Sequence, residues 1–382
     1  MPAAPHSSTR HSPHDTPPPG VAGRFQAVIA DLPSSCFAFV MATGIVSAAL
    51  LKSGRAVPAE ILFWVAISAL VLLIVATIWR AIAYPGRFAA DIISPAKTFG
   101  FFSFVAGLNV LGLHYVMTGR PGIALALGGV AATAWLVLTY LIPGVLLLRP
   151  QSTPILNSAN GSWFLWVVAT QSMASAAAAA AGAHDSGGLA TLAAAFWGIG
   201  VMLYLLIGTL ITLRLITRAN RPADLSPTYW IFMGATAISV LAGSALLKLP
   251  DTFEAIAAMR SFVRGSSFIL WSLGLWWVPL LILFGIWRHV VHHHNMRYET
   301  ALWSIVFPLG MLATSSMMFG QGQSIEIIDQ IGHVTVWVAV PAWSIAVILM
   351  VAAAIRWLRN PPQEPSPSPA WADSTHVGEN QP

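Results

Sequence analysis

Charge is what this chain has least of. Lys, Arg, Asp and Glu make up 9% of its 382 residues, against about 25% in soluble domains. With 56% hydrophobic residues, that deficit excludes a soluble globular protein and leaves a polytopic membrane protein. The few charges also avoid the middle of every apolar run. The intramembrane carboxylates that proton-coupled pumps and cation carriers use are therefore missing. Cysteine occurs once, at Cys36, which excludes an intramolecular disulfide; in its apolar run the thiol reads as buried and inert. No GxxxxGK[ST] loop is present, so no nucleotide-driven step is encoded. No stretch alternates with strand periodicity. The N-terminal residues, rich in proline and histidine, lack the apolar core of a signal peptide.

What is present is a series of apolar runs of about 20 residues, the length that crosses the hydrocarbon core. Ten candidate spans lie at roughly 32–51, 61–83, 98–118, 122–148, 161–183, 188–213, 227–247, 266–287, 301–321 and 331–355. Short connections predict antiparallel hairpins. The expected organisation is a disordered tail over 1–30, a transmembrane domain over 31–358 and a second disordered tail over 359–382. Of the 19 Lys and Arg residues, 13 fall in the tails and even-to-odd loops and 6 in the odd-to-even loops. By the positive-inside bias both termini are cytoplasmic. The formal charge of +5 belongs to those loops, so nucleic acid is not an expected partner.

The polar side chains inside the spans fall mainly on odd-numbered ones. Thr43-Gly44 and Ser47 are on the first, Asn109 on the third, and Gln171 between Thr170 and Ser172 on the fifth. Gly234, Thr236, Ser239 and Gly243-Ser244 are on the seventh, and Thr314-Ser315-Ser316 on the ninth. This predicts odd helices inside and even helices outside. Asn109 and Gln171 then either line a pore or bond neighbouring helices. The ninth span, WSIVFPLGMLATSSMMFG, places Phe307 directly before Pro308. Proline removes a backbone donor and frees a carbonyl one turn earlier, a defect tolerated at membrane depth only inside protein or beside water. Phe307 is there either a plug for a narrow conduit or a packed core ring.

His292-His293-His294 reads as a polar loop, since consecutive residues rarely converge on a metal. His114 and His333 sit near span ends, so no histidine pair faces another at depth and no haem or other cofactor is expected. The sixteen tryptophans suit membrane interfaces and helix packing.

FAFVMATGIVS (37–47), NGSWFLWVVATQS (160–172), YWIFMGATAIS (229–239) and WSIVFPLGMLAT (303–314), in that order and at those spans, carry a resemblance. The chain resembles the tellurite-resistance/dicarboxylate transporter family over about residues 30–358. That family includes bacterial TehA-type channels, plant slow-type anion channels, fungal malate permeases and sulfite efflux pumps. The resemblance implies an all-α fold of ten transmembrane helices, as five hairpins in quasi-fivefold arrangement around a central pore. It implies a gate at Phe307 and a pore lined by Pro308, Gly310, Thr314, Thr43, Gly44, Gly107, Asn109, Gln171, Gly234 and Thr236. The fifth span departs from a glycine-kinked pattern, having no glycine between Gly161 and Gly182. The expected function is gradient-driven transport of small inorganic or carboxylate anions by a plasma-membrane homotrimer. A proton-coupled C4-dicarboxylate or sulfite/tellurite carrier is the alternative. An intramembrane oxidoreductase would need paired ligands at depth, which the sequence does not offer.

Overall fold

The computed structural model describes residues 21–150, 154–293 and 295–359. These form twelve α-helices, and no strand occurs among the described residues. They are α1 (Val21–Ala30), α2 (Ala38–Lys52), α3 (Ala56–Ala83), α4 (Pro85–Ile93), α5 (Phe102–Met117), α6 (Pro121–Leu148), α7 (Phe164–His184), α8 (Gly187–Thr217), α9 (Ile231–Leu247), α10 (Glu254–Ile286), α11 (Trp303–Gln323) and α12 (Glu326–Arg359). Nine helical segments among the described residues are long and apolar enough to cross a membrane. The first expected span is instead the 15-residue α2, preceded by a turn at Pro33–Phe37.

Three expectations are corrected. Residues 21–30, expected to belong to the N-terminal tail, form α1; the remainder of both expected tails, 1–20 and 360–382, lies outside the described residues. The loop after the second span holds α4, started by Pro85 at its first position, where the fixed proline φ suits a helix start. α10 begins at Glu254, not at 266, and α12 begins at Glu326, not at 331. Their first turns carry charge, so the apolar run by itself understates both helices.

The helices pair as hairpins α2–α3, α5–α6, α7–α8, α9–α10 and α11–α12. The first member of each pair also packs on the first member of the next, α2 on α5, α5 on α7, α7 on α9, α9 on α11 and α11 back on α2, closing a ring of five. Burial separates the two layers. The most apolar stretches of the inner segments containing α5, α7, α9 and α11 are 72% to 89% buried, whereas those of α3, α6, α8, α10 and α12 are 11% to 33% buried. The outer helices face lipid with Val, Leu and Ile.

The inner helices close ranks through small residues. A methyl placed on Gly44 would stand 3.0 Å from Cγ1 of Val110 on α5, and one on Gly310 would stand 2.9 Å from Cγ2 of Ile45 on α2. Gly107 faces Val40 and Met41 across the same α2–α5 seam. Such contacts let backbones approach where lipid supplies no hydrophobic drive for association.

Indole N–H groups join the layers, each reaching from an outer helix to the inner helix of the following hairpin. Trp135 of α6 donates to Thr170 of α7 at 3.0 Å. Trp197 of α8 donates to the Ser239 carbonyl of α9 at 3.0 Å. Trp271 of α10 donates to Ser316 of α11 at 2.8 Å. Trp343 of α12 donates to Thr43 of α2 at 3.0 Å. From α3 to α5 the link changes chemistry: Phe63 stacks on His114 with ring centres 3.9 Å apart, and Nδ1 of His114 lies 3.1 Å from Oγ of Ser47 on α2.

Each of α5, α7, α9 and α11 is entered through a tight 3₁₀ turn, at Thr98–Phe101, Gly161–Trp163, Pro227–Trp230 and Thr300–Leu302. The side chain of Asn160 accepts from the Ser162 amide and caps the second of these. Gly161 is required there: a methyl on it would stand 2.2 Å from the carbonyl oxygen of Thr228, backbone that has nowhere to go. Gly161→Ala is expected to lower stability by about 1–3 kcal/mol or more, read as a fall in melting temperature in detergent. Gly129→Ala, with no neighbour within 4 Å of the added methyl, is the matched control and should melt like the parent.

Candidate functional site

The 3₁₀ turns meet at one end of the inner ring, where the turns at Thr98, Gly161, Pro227 and Thr300 touch in sequence. Aromatic side chains at these entries pack from helix to helix. Phe37 meets Phe104 at 4.9 Å, Phe99 meets Trp163 at 4.9 Å, Phe164 meets Phe232 at 4.3 Å, and Phe39 meets Trp303 at 4.7 Å. The result is an aromatic collar across four of the ring's five seams, α2–α5, α5–α7, α7–α9 and α11–α2, at the end where the inner helices begin.

Outside the collar lies a polar basin of about 730 Å³. Ser34, Gly100, Ser162 and Thr228, from the entries of four inner helices, line it. The positive ends of the inner helices therefore converge on this side, an arrangement that favours negative charge. The basin's charged residues are Arg80, Arg87, Lys97 and Arg214 against Asp31, Asp91 and Asp224, a balance of one positive charge.

The short helix α4 explains how one of these groups is held. It brings Asp91 under the last turn of α3, where Oδ2 of Asp91 lies 2.6 Å from Nη2 of Arg80. Lys97 reaches Oδ1 of the same carboxylate at 3.0 Å, and Nε of Arg80 donates to the Ala30 carbonyl at 3.0 Å. Arg80 and Asp91 are both buried. Arg214, in the last turn of α8, donates through Nη1 to Oδ1 of Asn220 at 2.7 Å. Arg288 is buried beyond α10 and pairs with Glu299 at 2.8 Å. The sequence reading treated these three arginines as topology signals only. Their burial at helix ends needs partners on separate elements, which no local pattern announces.

Inside the collar the inner helices are tightly packed. Phe307 sits four residues into α11, roughly 6 Å along the axis, and its side chain is 0% exposed. Gly234 of α9 lies against it: an added methyl would stand 3.2 Å from Cε1 of Phe307 and 2.9 Å from Cγ of Pro308. Thr314, one turn beyond Gly310, donates to the Gly310 carbonyl at 2.9 Å. Phe307, Pro308 and Gly234 are thus brought together on the α9–α11 seam, and Gly310, Gly44 and Gly107 lie on the seams that flank α2.

The other expected pore residues point elsewhere. Thr43 accepts from Trp343 on the outer helix α12. Gln171 donates to the Trp197 carbonyl of α8 at 3.1 Å and packs on Gly200. Thr236 lies against Gly274 of α10 and donates to the Met233 carbonyl of its own helix at 2.8 Å. All three turn their polar atoms toward the outer layer. Asn109 donates to Ser172 of α7 at 2.9 Å and its Oδ1 has no protein partner; it lines a small crevice between α5, α6 and α7.

None of the five inner helices carries Asp or Glu. A ring of small-residue helices, uncharged at depth and entered through converging helix N-termini, is matched by one family profile. The "voltage-dependent anion channel" family profile covers residues 31–351.

The chain belongs to the voltage-dependent anion channel family.

An "uncharacterized membrane protein" of Mycobacterium tuberculosis is 42% identical over 151 residues, 40% of this chain and 76% of that protein. An "uncharacterized transporter" of Methanocaldococcus jannaschii is 25% identical over 332 residues, 85% of this chain and 95% of that protein. An "S-type anion channel" of Arabidopsis thaliana is 31% identical over 137 residues, 36% of this chain and 30% of that protein. Membership supports anion transport as the general function of the fold.

The basin's buried ion pair generates a stability prediction. Asp91→Asn leaves Arg80 enclosed without its carboxylate, a change that costs about 3–5 kcal/mol when a buried pair is broken. Asp31→Asn breaks only the exposed pair with Arg87, worth about 0–1 kcal/mol. Thermal melting of both variants in detergent should show a large loss for the first and almost none for the second.

Proposed function

We propose that the inner ring is a gradient-driven anion conduit whose basin is its cytoplasmic mouth and whose closure is the ring of Phe307. The observation that carries this reading is the basin itself, where inner-helix N-termini converge and four cationic side chains outnumber three carboxylates by one, in front of inner helices that carry no Asp or Glu. An anion entering there is stabilised by the helix ends and meets no negative side chain along the inner helices. A cation meets the same ends as a barrier. Flow down an electrochemical gradient needs no further coupling group on the chain.

Phe307 fits the part of a gate because it is enclosed and sits one turn behind the collar. Gly234 opposite gives its ring the room a larger residue would take. Pro308 interrupts the backbone beside it, so movement of this turn breaks one fewer helical hydrogen bond. A coupled carrier for C4-dicarboxylates, sulfite or tellurite would use the same basin, with closure of Phe307 alternating rather than opening. Assembly as homotrimers in the plasma membrane, with one conduit per subunit, completes the reading.

The placement of the basin in the cytoplasm rests on the Lys and Arg count, 13 against 6. Alkaline phosphatase fused after residue 360 should be inactive in a bacterial host. Strong activity there would invert the topology and put the basin outside.

One proteoliposome experiment tests selectivity and gate together. Under a potassium chloride gradient the reversal potential should sit near the chloride value, and Phe307→Ala should raise the flux. A reversal near the potassium value would sink anion selectivity. A core-packing Phe307 predicts instead a stability loss of about 3–5 kcal/mol with no gain in flux, so melting and flux on the same variant separate gate from core.

A further inference from the structure

Four of the five links between the outer and inner layers are indole N–H groups, which do not titrate. The fifth, from α3 to α5, is a histidine. His114 lies in the last turn of α5, at the end of the ring opposite the basin, and is 2% exposed. Its ring stacks on Phe63 of α3, with centres 3.9 Å apart and planes 11° from parallel.

The hydrogens around His114 are fixed by its neighbours. Oγ of Ser47 donates to the Ala59 carbonyl at 2.7 Å. A hydroxyl has one hydrogen, so Ser47 has none left for Nδ1 of His114 at 3.1 Å. Nδ1 therefore carries the proton and donates to Ser47. In a neutral imidazole the other nitrogen is then bare. That bare Nε2 faces Oε2 of Glu60 at 3.6 Å. Glu60 is held there by its other oxygen, since Oε1 accepts from Nε1 of Trp64 at 2.7 Å. Two acceptors thus stand face to face with no hydrogen between them, and the Glu60 side chain is 56% exposed.

No other charge intrudes. α2 presents Ser47, and its one charged residue is Lys52 at its end. Arg55, before α3, lies over the Trp337 ring of α12. α6 carries no Asp, Glu, Lys, Arg or His, and the Arg120 that precedes it is exposed. α7 carries only His184, which lines a crevice with Leu113 and Val116.

We propose that the gap between Nε2 of His114 and Glu60 is a proton-binding site that fastens the first hairpin to the second. A proton arrives from water along the exposed carboxylate and settles on Nε2, and no other bond breaks. The repulsion becomes an ion pair from α5 to α3, while Nδ1 keeps its bond to Ser47 on α2. The charged ring also gains from the face of Phe63. Histidine is the side chain that ordinarily changes charge between about pH 5 and pH 8, so the site reads acidity on the face opposite the basin. In the topology proposed above that face is outside the cell. The site is independent of whether the ring conducts.

Melting of the full-length protein in detergent at about pH 8 and about pH 5 tests it. Glu60→Gln puts an amide donor opposite the bare Nε2, which suits the neutral ring and leaves the protonated ring no charge to pair with. The parent should therefore gain on Glu60→Gln as the pH falls, by roughly 2 °C or more. In a His114→Asn background, which keeps a donor for Ser47, the same substitution should give a difference that does not depend on pH. A second readout follows the proton itself. In protein labelled with nitrogen-15 histidine, the signal that moves with Glu60→Gln should show a bare Nε2 at about pH 8 and a protonated one at about pH 5. A parent-to-variant melting difference that stays constant with pH, one that still changes without His114, or an Nε2 in the same state at both pH values would overturn the site.

Discussion

Hydrocarbon offers no hydrogen-bond partner, and that constraint organises this protein. The inner helices carry hydroxyls, amides and glycines that lipid would leave unsatisfied. They are therefore gathered into a closed ring, and every exposed face of the ring is covered by a second layer. The covering helices do more than shield. Trp135, Trp197, Trp271 and Trp343 each place an indole N–H on an oxygen of the next hairpin's inner helix, so the polar content of the inner layer becomes the attachment of the outer one. Small residues follow from the same demand. Only glycine at positions such as 44, 234 and 310 lets neighbouring helices come close enough to exclude water from the seams.

Charge is treated in the opposite way. Among the inner helices the only Lys or Arg is Lys52, the last residue of α2, and buried charge gathers where these helices begin. There the buried arginines tie separate elements together, Arg80 joining α3, α4 and the end of α1, and Arg214 joining α8 to the segment that follows it. The aromatic collar separates this wet, charged end from the dry ring behind it.

The layering was legible in the sequence because polarity inside apolar runs marks an inner helix: Asn109, Gln171 and the Thr314–Ser316 cluster all fell on the ring. Direction within the ring was not legible. In a soluble helix the apolar stripe points to the core, but here every face is apolar or small, so nothing in the sequence shows that Thr43, Gln171 and Thr236 turn outward to α12, α8 and α10. Gly44, Gly107, Gly234 and Gly310, expected to line a pore, lie on the seams between inner helices. α4 was missed because nine residues that open on Pro-Gly and carry Arg87 and Asp91 read as loop, and with it the burial of Asp91. The long first turns of α10 and α12 were missed because their charged residues, Glu254, Arg260, Glu326 and Asp329, break the apolar runs from which the spans were read.

The bond between Trp343 and Thr43 spans 300 positions of the chain and belongs to the last and first hairpins. Each earlier indole link joins hairpins that are made consecutively, so the assembly can grow as a curved sheet of helices while the ribosome works. The last link differs in kind, because it returns from the final hairpin to the first and joins the two edges that chain order leaves farthest apart. Closing the ring therefore needs both ends of the helical series at once, and loss of either terminal hairpin would leave an open arc.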